Sequence, residues 1–314
     1  MITFFTTAKP FLGHAGVTQR NTLQSWAHLH PDVEVILFGD DDGAADVARE
    51  LGIRHEPQVQ RHPSGLKYIN TMFDRAQEIA RHDILCYANC DIILTPDILD
   101  AARRVRAQKQ KFLTVGRRWD TDVTELLDFS NPQWADRIRE HALATNNQRD
   151  EWWADYFLFS RNLYYKKIPP FVIGRIGWDS WLTWWAKHSG AALVDASEVV
   201  CVVHQNHDYG YHAQGKQGVW TDELSRQNFK LARGYWHMRS IRSANYRLTA
   251  HKLSHNSFHY LVHWRFILER DTEPFRAFIR VNFWHPFLNF TRPVRHALAI
   301  KRKPARLMYQ PPNK

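Results

Sequence analysis

The chain has 314 residues, of which 44% are hydrophobic, and it carries 42 lysines and arginines against 32 acidic residues, for a net charge of +10. This composition supplies ample material for a core, and the three cysteines show no CxxC spacing, so we interpret them as small core residues in a reducing compartment. No segment approaches the roughly 18 apolar residues of a membrane-spanning helix, and the first residues lack the basic and apolar pattern of a signal peptide.

The first eighty residues alternate between strand and helix patterns. Strands are predicted over residues 1–7, 33–38 and 53–56, and helices over 17–29, from about 44 to 51 and over 68–81. Strands that alternate with helices indicate an α/β fold with a mostly parallel sheet flanked by helices. Such sheets bind ligands at the carboxyl ends of their strands.

Residues 84–94 form an apolar run that contains an amide and a carboxylate, Asn89 and Asp91. The run predicts a buried strand, and alternation places the two polar side chains on the same side. Because a buried carboxylate is costly unless it is paired or bound to a cation, we expect both side chains at the sheet edge, facing Mg²⁺ or Mn²⁺. The alternative is that Asp91 ends the strand and caps the element that begins at residues 95–97.

Residues beyond 94 continue the strand and helix alternation. Further strands are predicted over 112–115, 151–159, 192–195 and 199–203, and further helices over 97–110 and from 178 to about 188. No element is predicted within 116–147, which is polar and rich in Trp and Asp. Asp155 lies at the entrance of a predicted strand, and the last predicted strand leads directly into His204 and His207.

Four features follow one another in the order seen in the nucleotide-sugar-dependent glycosyltransferases of GT-A fold. They are an acidic metal motif, a glycine-containing loop, an acidic residue that opens the next helix, and a histidine that ends a later strand: Asn89-Cys90-Asp91, Gly174-Arg175-Ile176-Gly177, Trp178-Asp179 and His204. The chain resembles that family over roughly residues 1–230. The resemblance implies a GT-A (Rossmann-like) catalytic domain, assigned to residues 1–226, and a UDP-sugar-like donor. It also implies a divalent ion held by Asp91 and His204, with Asp179 as general base in inverting members.

One position departs from the family pattern. Asn89 stands where many members have Asp. It is therefore kept as a weaker metal ligand, and it could instead bind the donor ribose or a metal-bound water.

The metal assignment also has a physical reason. A nucleoside diphosphate leaves during glycosyl transfer, and a cation that bridges its phosphates neutralises the charge. Asp91 and His204 could bind one side of that ion, and an imidazole ligand favours Mn²⁺ over Mg²⁺. His204 directly follows the predicted strand, so we rank it above His207, which could instead orient the diphosphate. The alternative is that both histidines are ordinary polar residues at a strand end.

Asp179 opens the predicted aromatic helix, where it could remove the proton from an acceptor hydroxyl. A carboxylate at this place also stabilises a helix through capping and the helix dipole, so a structural role is the alternative. Acceptor binding is assigned to Trp178, whose ring suits a sugar, to Arg175 in the glycine loop, and to Asp155. For Asp155 a buried structural role is equally open.

Polar residues at the ends of the first two strands are assigned to the donor. Thr6, Thr7 and Asp40 would contact uracil and ribose, with turn formation as the alternative. Ser64 and Lys67 would bring a backbone amide and an ammonium group near the donor.

The last part of the chain is strongly basic. Residues 226–314 hold 18 basic and 3 acidic side chains, against 24 and 29 in residues 1–225. From residue 227 to 314 the pattern is helical with interleaved aromatic residues, which suits peripheral attachment to an anionic membrane surface. The alternative is a helical lid on the catalytic domain. Nucleic-acid binding is disfavoured because the sequence shows no recognisable RNA-binding motif.

These patterns lead to one main expectation about function. We expect a cytoplasmic, metal-dependent glycosyltransferase of the hexosyltransferase class, with a role such as polysaccharide biosynthesis. It would move a sugar from a nucleotide diphosphate donor to a glycan or lipid-linked acceptor, with inversion at the sugar. In a retaining enzyme of the same fold, Asp179 would bind the acceptor instead. A metal-dependent hydrolase that uses His204, His207 and Asp208 would release sugar or phosphate without an acceptor.

Overall fold

A computed structural model describes residues 1–207 and 215–256, and these residues form layered strands and helices. The strands are β1 (Ile2–Thr7), β2 (Glu34–Phe38), β3 (Arg54–Glu56), β4 (Ile84–Ala88), β5 (Ile92–Leu94), β6 (Phe112–Val115), β7 (Trp119–Thr121), β8 (Tyr156–Ser160), β9 (Ala192–Asp195), β10 (Val202–Gln205), β11 (Tyr246–Leu248) and β12 (Leu253–His255). The helices are α1 (Gly13–Ala27), α2 (Ala44–Glu50), α3 (Ile69–Ile79), α4 (Asp97–Arg106), α5 (Trp134–Ala144), α6 (Trp178–His188), α7 (Gly215–Thr221) and α8 (Glu223–Leu231), with short 3₁₀ turns at Gly234–His237 and Ile241–Ser243.

Nine strands form a large sheet in the order β12-β11-β9-β6-β8-β4-β1-β2-β3. Neighbouring strands are parallel, except that β8 runs antiparallel between β4 and β6 and that β12 is antiparallel to β11. The predicted α/β fold with a mostly parallel sheet is therefore confirmed. Alternate residues of β1 enter two different cores: Phe4 stacks on Trp26 of α1, and Phe5 meets Phe73 of α3 edge to face. Both faces of the sheet are thus covered by helices.

Three short strands form a second, small sheet in the order β5-β10-β7. In it, β10 is antiparallel to β5 and parallel to β7. The single strand predicted over 84–94 is wrong, because the chain turns between β4 and β5, where the Ile92 N–H donates to the Asn89 carbonyl at 3.1 Å. Asn89 and Asp91 thus lie in the turn between two strands, and the chain passes there from the large sheet to the small sheet.

Two other segments differ from the expected pattern. Residues 116–147, where no element was predicted, contain β7 and α5, and residues 246–255 form β11 and β12 where helix was expected. The strands β7, β11 and β12 have three residues each, which is too short to produce a recognisable alternation of apolar and polar side chains.

The division of the chain after residue 226 stays a prediction. That boundary lies inside α8, and the described residues up to Asn256 belong to the same compact unit as the rest of the described chain. The predicted basic and aromatic segments after residue 256 lie outside the described residues. In the described part of the chain, no helix is both long and apolar enough to span a membrane.

Candidate active site

The candidate site lies at the carboxyl ends of β1, β2 and β4. Because β1 pairs in parallel with β2 and with β4, these strands end at one edge of the large sheet. The antiparallel strand β8 starts at the same edge, with Tyr156 opposite Ala88. Asp155, just before β8, therefore lies beside Asn89, just after β4. The strand pairing thus collects polar residues that are far apart in the chain.

Asp91, His204 and His207 come together where the small sheet joins this edge. Asp91 directly precedes β5, and the pairing of β5 with β10 places Ile92 opposite His204. Asp91 Oδ2 lies 3.0 Å from His207 Nε2 and 3.7 Å from His204 Nε2. One ligand atom from each of the three residues lies within 4.8 Å of the others. His204 was predicted to follow the strand, but it is a buried residue within β10.

The electrostatic surroundings of Asp91 keep it ionised. Burial by itself would raise the pKa of this carboxyl, but the electrostatic interaction with the neighbouring His204 ring, a hydrogen bond from His207 and the charge of Arg118 outweigh it and hold the pKa well below its usual range. Asp91 is therefore a carboxylate at neutral pH, which is the form that binds a cation.

The cluster fits a divalent cation. Asp91 Oδ1 is buried and has no hydrogen-bond partner among the described residues, whereas buried carboxylate oxygens normally have one. One carboxylate with two imidazoles suits a transition-metal ion better than Mg²⁺, which prefers oxygen ligands. Asp91, His204 and His207 can thus supply three ligands, and the orphaned oxygen is the feature that points to an ion.

Asn89 contacts protein groups and is not part of this cluster. Its Nδ2 donates to Asp155 Oδ1 at 2.8 Å, and its Oδ1 accepts from the Tyr87 hydroxyl at 3.2 Å. Asp155 Oδ2 accepts in turn from Arg118 at 2.6 Å. These contacts give Asn89 and Asp155 a structural role at the sheet edge, and ligand binding by either residue stays a prediction.

Asp179 lies in the first turn of α6, as predicted from its place at a helix start. The helix begins after Gly177, whose φ of +101° favours glycine. Asp179 Oδ1 accepts the N–H of Ser180 at 2.7 Å. Loss of hydration in the surrounding protein raises the pKa of this half-buried carboxyl to about 6, and the negative charge of Asp155 acts in the same direction. Asp179 is therefore mostly ionised at neutral pH and is a stronger base than an ordinary aspartate.

Trp178 and Arg175 contact other residues of the protein. Trp178 is only 5% exposed and packs against Tyr87 and Phe157. The first turn of α6 thus directs its ring towards the sheet and into the core, and its part in acceptor binding stays a prediction. Arg175 Nε donates to Asp222 at 2.6 Å, and Asp222 caps α8. Arg175 therefore ties the glycine loop to α8.

Lys67 lies at the carboxyl edge of the large sheet, where it contacts residues that follow β1 and β2. Its Nζ donates to the Ala8 carbonyl at 2.7 Å and pairs with the Asp41 carboxylate. Burial lowers the pKa of Lys67, and Asp41 opposes this effect. Asp40, the residue predicted to contact the donor, is exposed and pairs with Arg61. The inward carboxylate at the end of β2 is therefore Asp41.

The other predicted donor contacts differ in accessibility. Thr6 is fully buried, and the Thr7 hydroxyl donates to the Phe38 carbonyl at 2.7 Å. Ser64 is exposed, with its hydroxyl 2.9 Å from His62 Nδ1. Both threonine hydroxyls thus contact backbone carbonyls. Their role, like that of Ser64, stays a prediction.

Positive charge lies close to the metal motif. The charges of Lys67 and Lys9 both act on the Cys90 thiol, in opposition to that of Asp91, while burial raises the pKa of the thiol. Cys90 directly precedes Asp91 in the chain. The ammonium groups of Lys67 and Lys9 therefore lie near the residue that precedes Asp91.

Three buried or half-buried charged residues of the site were not predicted: Arg118, Asp120 and Arg149. Asp120 is 3% exposed and accepts from Arg118 Nε at 2.8 Å and from Arg149 Nε at 2.5 Å. His204 Nδ1 lies 3.2 Å from Asp120 Oδ1. The sequence signal was weak, since these residues belong to a polar segment around a three-residue strand.

Comparisons with known proteins returned only structural likenesses. No protein-family model matches the chain, and no curated protein matches its sequence. The chain is similar to glucosyl-3-phosphoglycerate synthase from Mycobacterium tuberculosis, at 17% identity over 74% of this chain and 78% of that chain, with a TM-score of 0.43.

Two further solved structures are similar at a comparable level. Residues 1–349 of TarS from S. aureus, in complex with UDP-GlcNAc, show 9% identity over 74% of this chain and 64% of that chain, with a TM-score of 0.48. The mannosyltransferase PcManGT from Pyrobaculum calidifontis, in complex with GDP-Man and Mn²⁺, shows 14% identity over 68% and 59%, with a TM-score of 0.42.

Proposed function

We propose that this protein is a metal-dependent glycosyltransferase, which moves a sugar from a nucleoside diphosphate donor to an acceptor hydroxyl with inversion. The observation that carries this proposal is the cluster of Asp91, His204 and His207 at the carboxyl edge of the sheet, with an orphaned carboxylate oxygen. Asp179, whose pKa is raised to about 6, supplies the base that such a transfer requires.

Asp91, His204 and His207 would hold the cation, Mn²⁺ or Mg²⁺. When bound, the cation acts as a Lewis acid that neutralises the departing diphosphate. Lys67 and Lys9 would add positive charge on the same side. Asp91 supports this role because its pKa is held low, so that it is ionised throughout the neutral range.

Asp179 would take the proton from the acceptor hydroxyl as the hydroxyl oxygen attacks the anomeric carbon. The bond from that carbon to the donor phosphate breaks on the opposite face, so the sugar is transferred with inversion. A retaining enzyme would instead give a product with the anomeric configuration of the donor. Determination of the product anomer by NMR therefore separates the two mechanisms.

The donor nucleoside would lie along the ends of β1 and β2, near Lys67 and Asp41. UDP is the nucleotide that the sequence resemblance implies, and a glycan or a lipid-linked sugar is the proposed acceptor. The basic segment 227–314 is proposed to attach the enzyme to an anionic membrane surface in the cytoplasm, on the basis of its charge.

A second candidate is a metal-dependent hydrolase, which the set of candidate metal ligands favours. Two imidazoles and one carboxylate are also the ligands of ions that activate water in hydrolases. Such an enzyme would release free sugar or phosphate from a nucleotide sugar at the same rate with and without an acceptor. A glycosyltransferase would instead form a glycoside at a rate that depends on acceptor concentration.

Calorimetry of UDP binding with and without Mn²⁺ tests the proposal. We expect Asp91→Ala to abolish the Mn²⁺-dependent binding of UDP, because the ionised ligand is lost. Asp100→Ala, which removes an exposed carboxylate from α4, is the matched control and should bind as the wild type does. Unchanged UDP binding by Asp91→Ala would reject the metal site. Thermal stabilisation by a panel of nucleotide sugars would then identify the donor.

A further inference from the structure

His204 lies directly opposite Asp120 in the small sheet, and we propose that Asp120 positions this histidine for metal binding, a role that rests on the proposed function. The parallel pairing of β10 with β7 sets His204 against Asp120 in register. Their side chains therefore leave the same face of the sheet. Neighbouring strands thus place a carboxylate beside a metal-ligating imidazole.

The two ring nitrogens of His204 face two different carboxylates. Nδ1 lies 3.2 Å from Asp120 Oδ1, and Nε2 lies 3.7 Å from Asp91 Oδ2. Nδ1 is buried and has no other hydrogen-bond partner among the described residues. Asp120 Oδ1 is therefore the acceptor within reach of a proton on Nδ1.

The carboxylate of Asp120 selects which ring nitrogen carries the proton. A neutral imidazole has one N–H and one lone pair, and an ionised carboxylate can only accept a hydrogen bond. Asp120 therefore stabilises the proton on Nδ1 and leaves the lone pair on Nε2, which is the nitrogen on the Asp91 side. Carboxylates behind metal-bound histidines orient the ring and fix its tautomer in this way.

Asp120 is held in place by two arginines. Arg118 Nε donates to Oδ1 at 2.8 Å and Arg149 Nε donates to Oδ2 at 2.5 Å, so each carboxylate oxygen has its own guanidinium partner. Arg118 also donates to Asp155 at 2.6 Å, and Asp155 accepts from Asn89. The same arginine therefore links β7, which carries Asp120, to the Asp155 carboxylate beside the turn that carries Asn89. Asp120 acts through His204 and is a positioning residue, since it does not belong to the ligand cluster.

The test combines metal affinity with the tautomer of the ring. Mn²⁺ affinity is followed by the paramagnetic resonance signal of the free ion. We expect Asp120→Asn to bind Mn²⁺ about 10–100-fold more weakly than the wild type. Long-range ¹H–¹⁵N NMR spectra, assigned with His204→Gln, should show the proton on Nδ1 in the wild type and on Nε2 in a larger share of Asp120→Asn. Glu34→Gln is the matched control, since Glu34 is a half-buried, hydrogen-bonded carboxylate at the opposite end of β2.

Each outcome separates this role from the metal site itself. Wild-type protein with the His204 proton on Nε2 would overturn the positioning role, and this measurement does not require the Asp120→Asn variant to fold. Equal Mn²⁺ affinity of wild type and Asp120→Asn, with a loss in Asp91→Ala, would overturn the positioning role alone. Equal affinity of wild type and Asp91→Ala would overturn the metal site, and the proposed function with it.

Discussion

The large and the small sheet of this protein differ in what their buried side chains are. In the large sheet, β8 buries Phe157, Leu158 and Phe159 completely. In the small sheet, β7 and β10 bury Asp120 and His204 beside apolar side chains such as Ile93 and Val203. Burial of apolar side chains stabilises a fold, whereas burial of polar groups costs free energy unless they are partnered. We therefore expect the apolar faces of the large sheet to be the larger source of stability, while the small sheet buries the polar residues that set the ligand geometry.

The small sheet depends on the rest of the domain for its own stability. Its strands have three or four residues each, and a sheet of this size is marginal by itself. The α1 helix holds it through Trp26, whose Nε1 donates to the Ile92 carbonyl at 3.0 Å. Gln205 Nε2 donates to Thr22 of the same helix at 3.0 Å. The positions of the metal ligands are thus fixed by contacts to a helix that packs on the large sheet.

Asp179 tests most strongly whether the functional residues are confined to the small sheet. It lies on α6, which packs on β6 and β9 of the large sheet. We expect Asp179→Asn to lower turnover by about 10²–10⁴-fold, since the general base is lost, while UDP affinity stays at the wild-type value. Steady-state rates and calorimetry on the same preparation measure the two effects. Near-normal turnover would show that the chemistry is confined to the metal cluster and would remove Asp179 as the base.

A crossed pair of substitutions tests the division directly. Leu193 is fully buried in β9, so Leu193→Ala should lower the free energy of unfolding by about 2–5 kcal/mol and leave the Mn²⁺ affinity of the folded protein unchanged. His204→Gln should do the opposite, with a clear loss of Mn²⁺ affinity and a stability cost of about 1 kcal/mol. Urea denaturation and metal titration measure both quantities. If His204→Gln proved as destabilising as Leu193→Ala, the small sheet would contribute to stability as well.

The smallest expected effect is the pH dependence of turnover. Because the pKa of Asp179 is raised to about 6, the base is ionised above that pH and becomes protonated below it. At saturating Mn²⁺ and donor, turnover should fall to about half near pH 6 and then by about tenfold for each further pH unit. The residual rate of Asp179→Asn should lack this inflection. An inflection near pH 6 that persists in the variant would assign it to another group.

Much of the fold was predictable because it depends on local patterns. The apolar runs of β1, β2 and β4 and the helices between them have lengths that show their period clearly. The three-residue strands β7, β11 and β12 do not. Tertiary contacts stabilise these short segments in an extended conformation, and no local pattern records those contacts.

The sequence by itself identified Asp91, His204 and Asp179 as candidates, because each falls next to a predicted element in the order of motifs that the resembled family shows. Only the tertiary structure decided that Asp120 stands opposite His204, and that the ring of Trp178 lies in the core. The physical reason is that strand pairing joins residues more than eighty positions apart. Periodicity shows which residues share a face of a strand, but not which strand lies beside it.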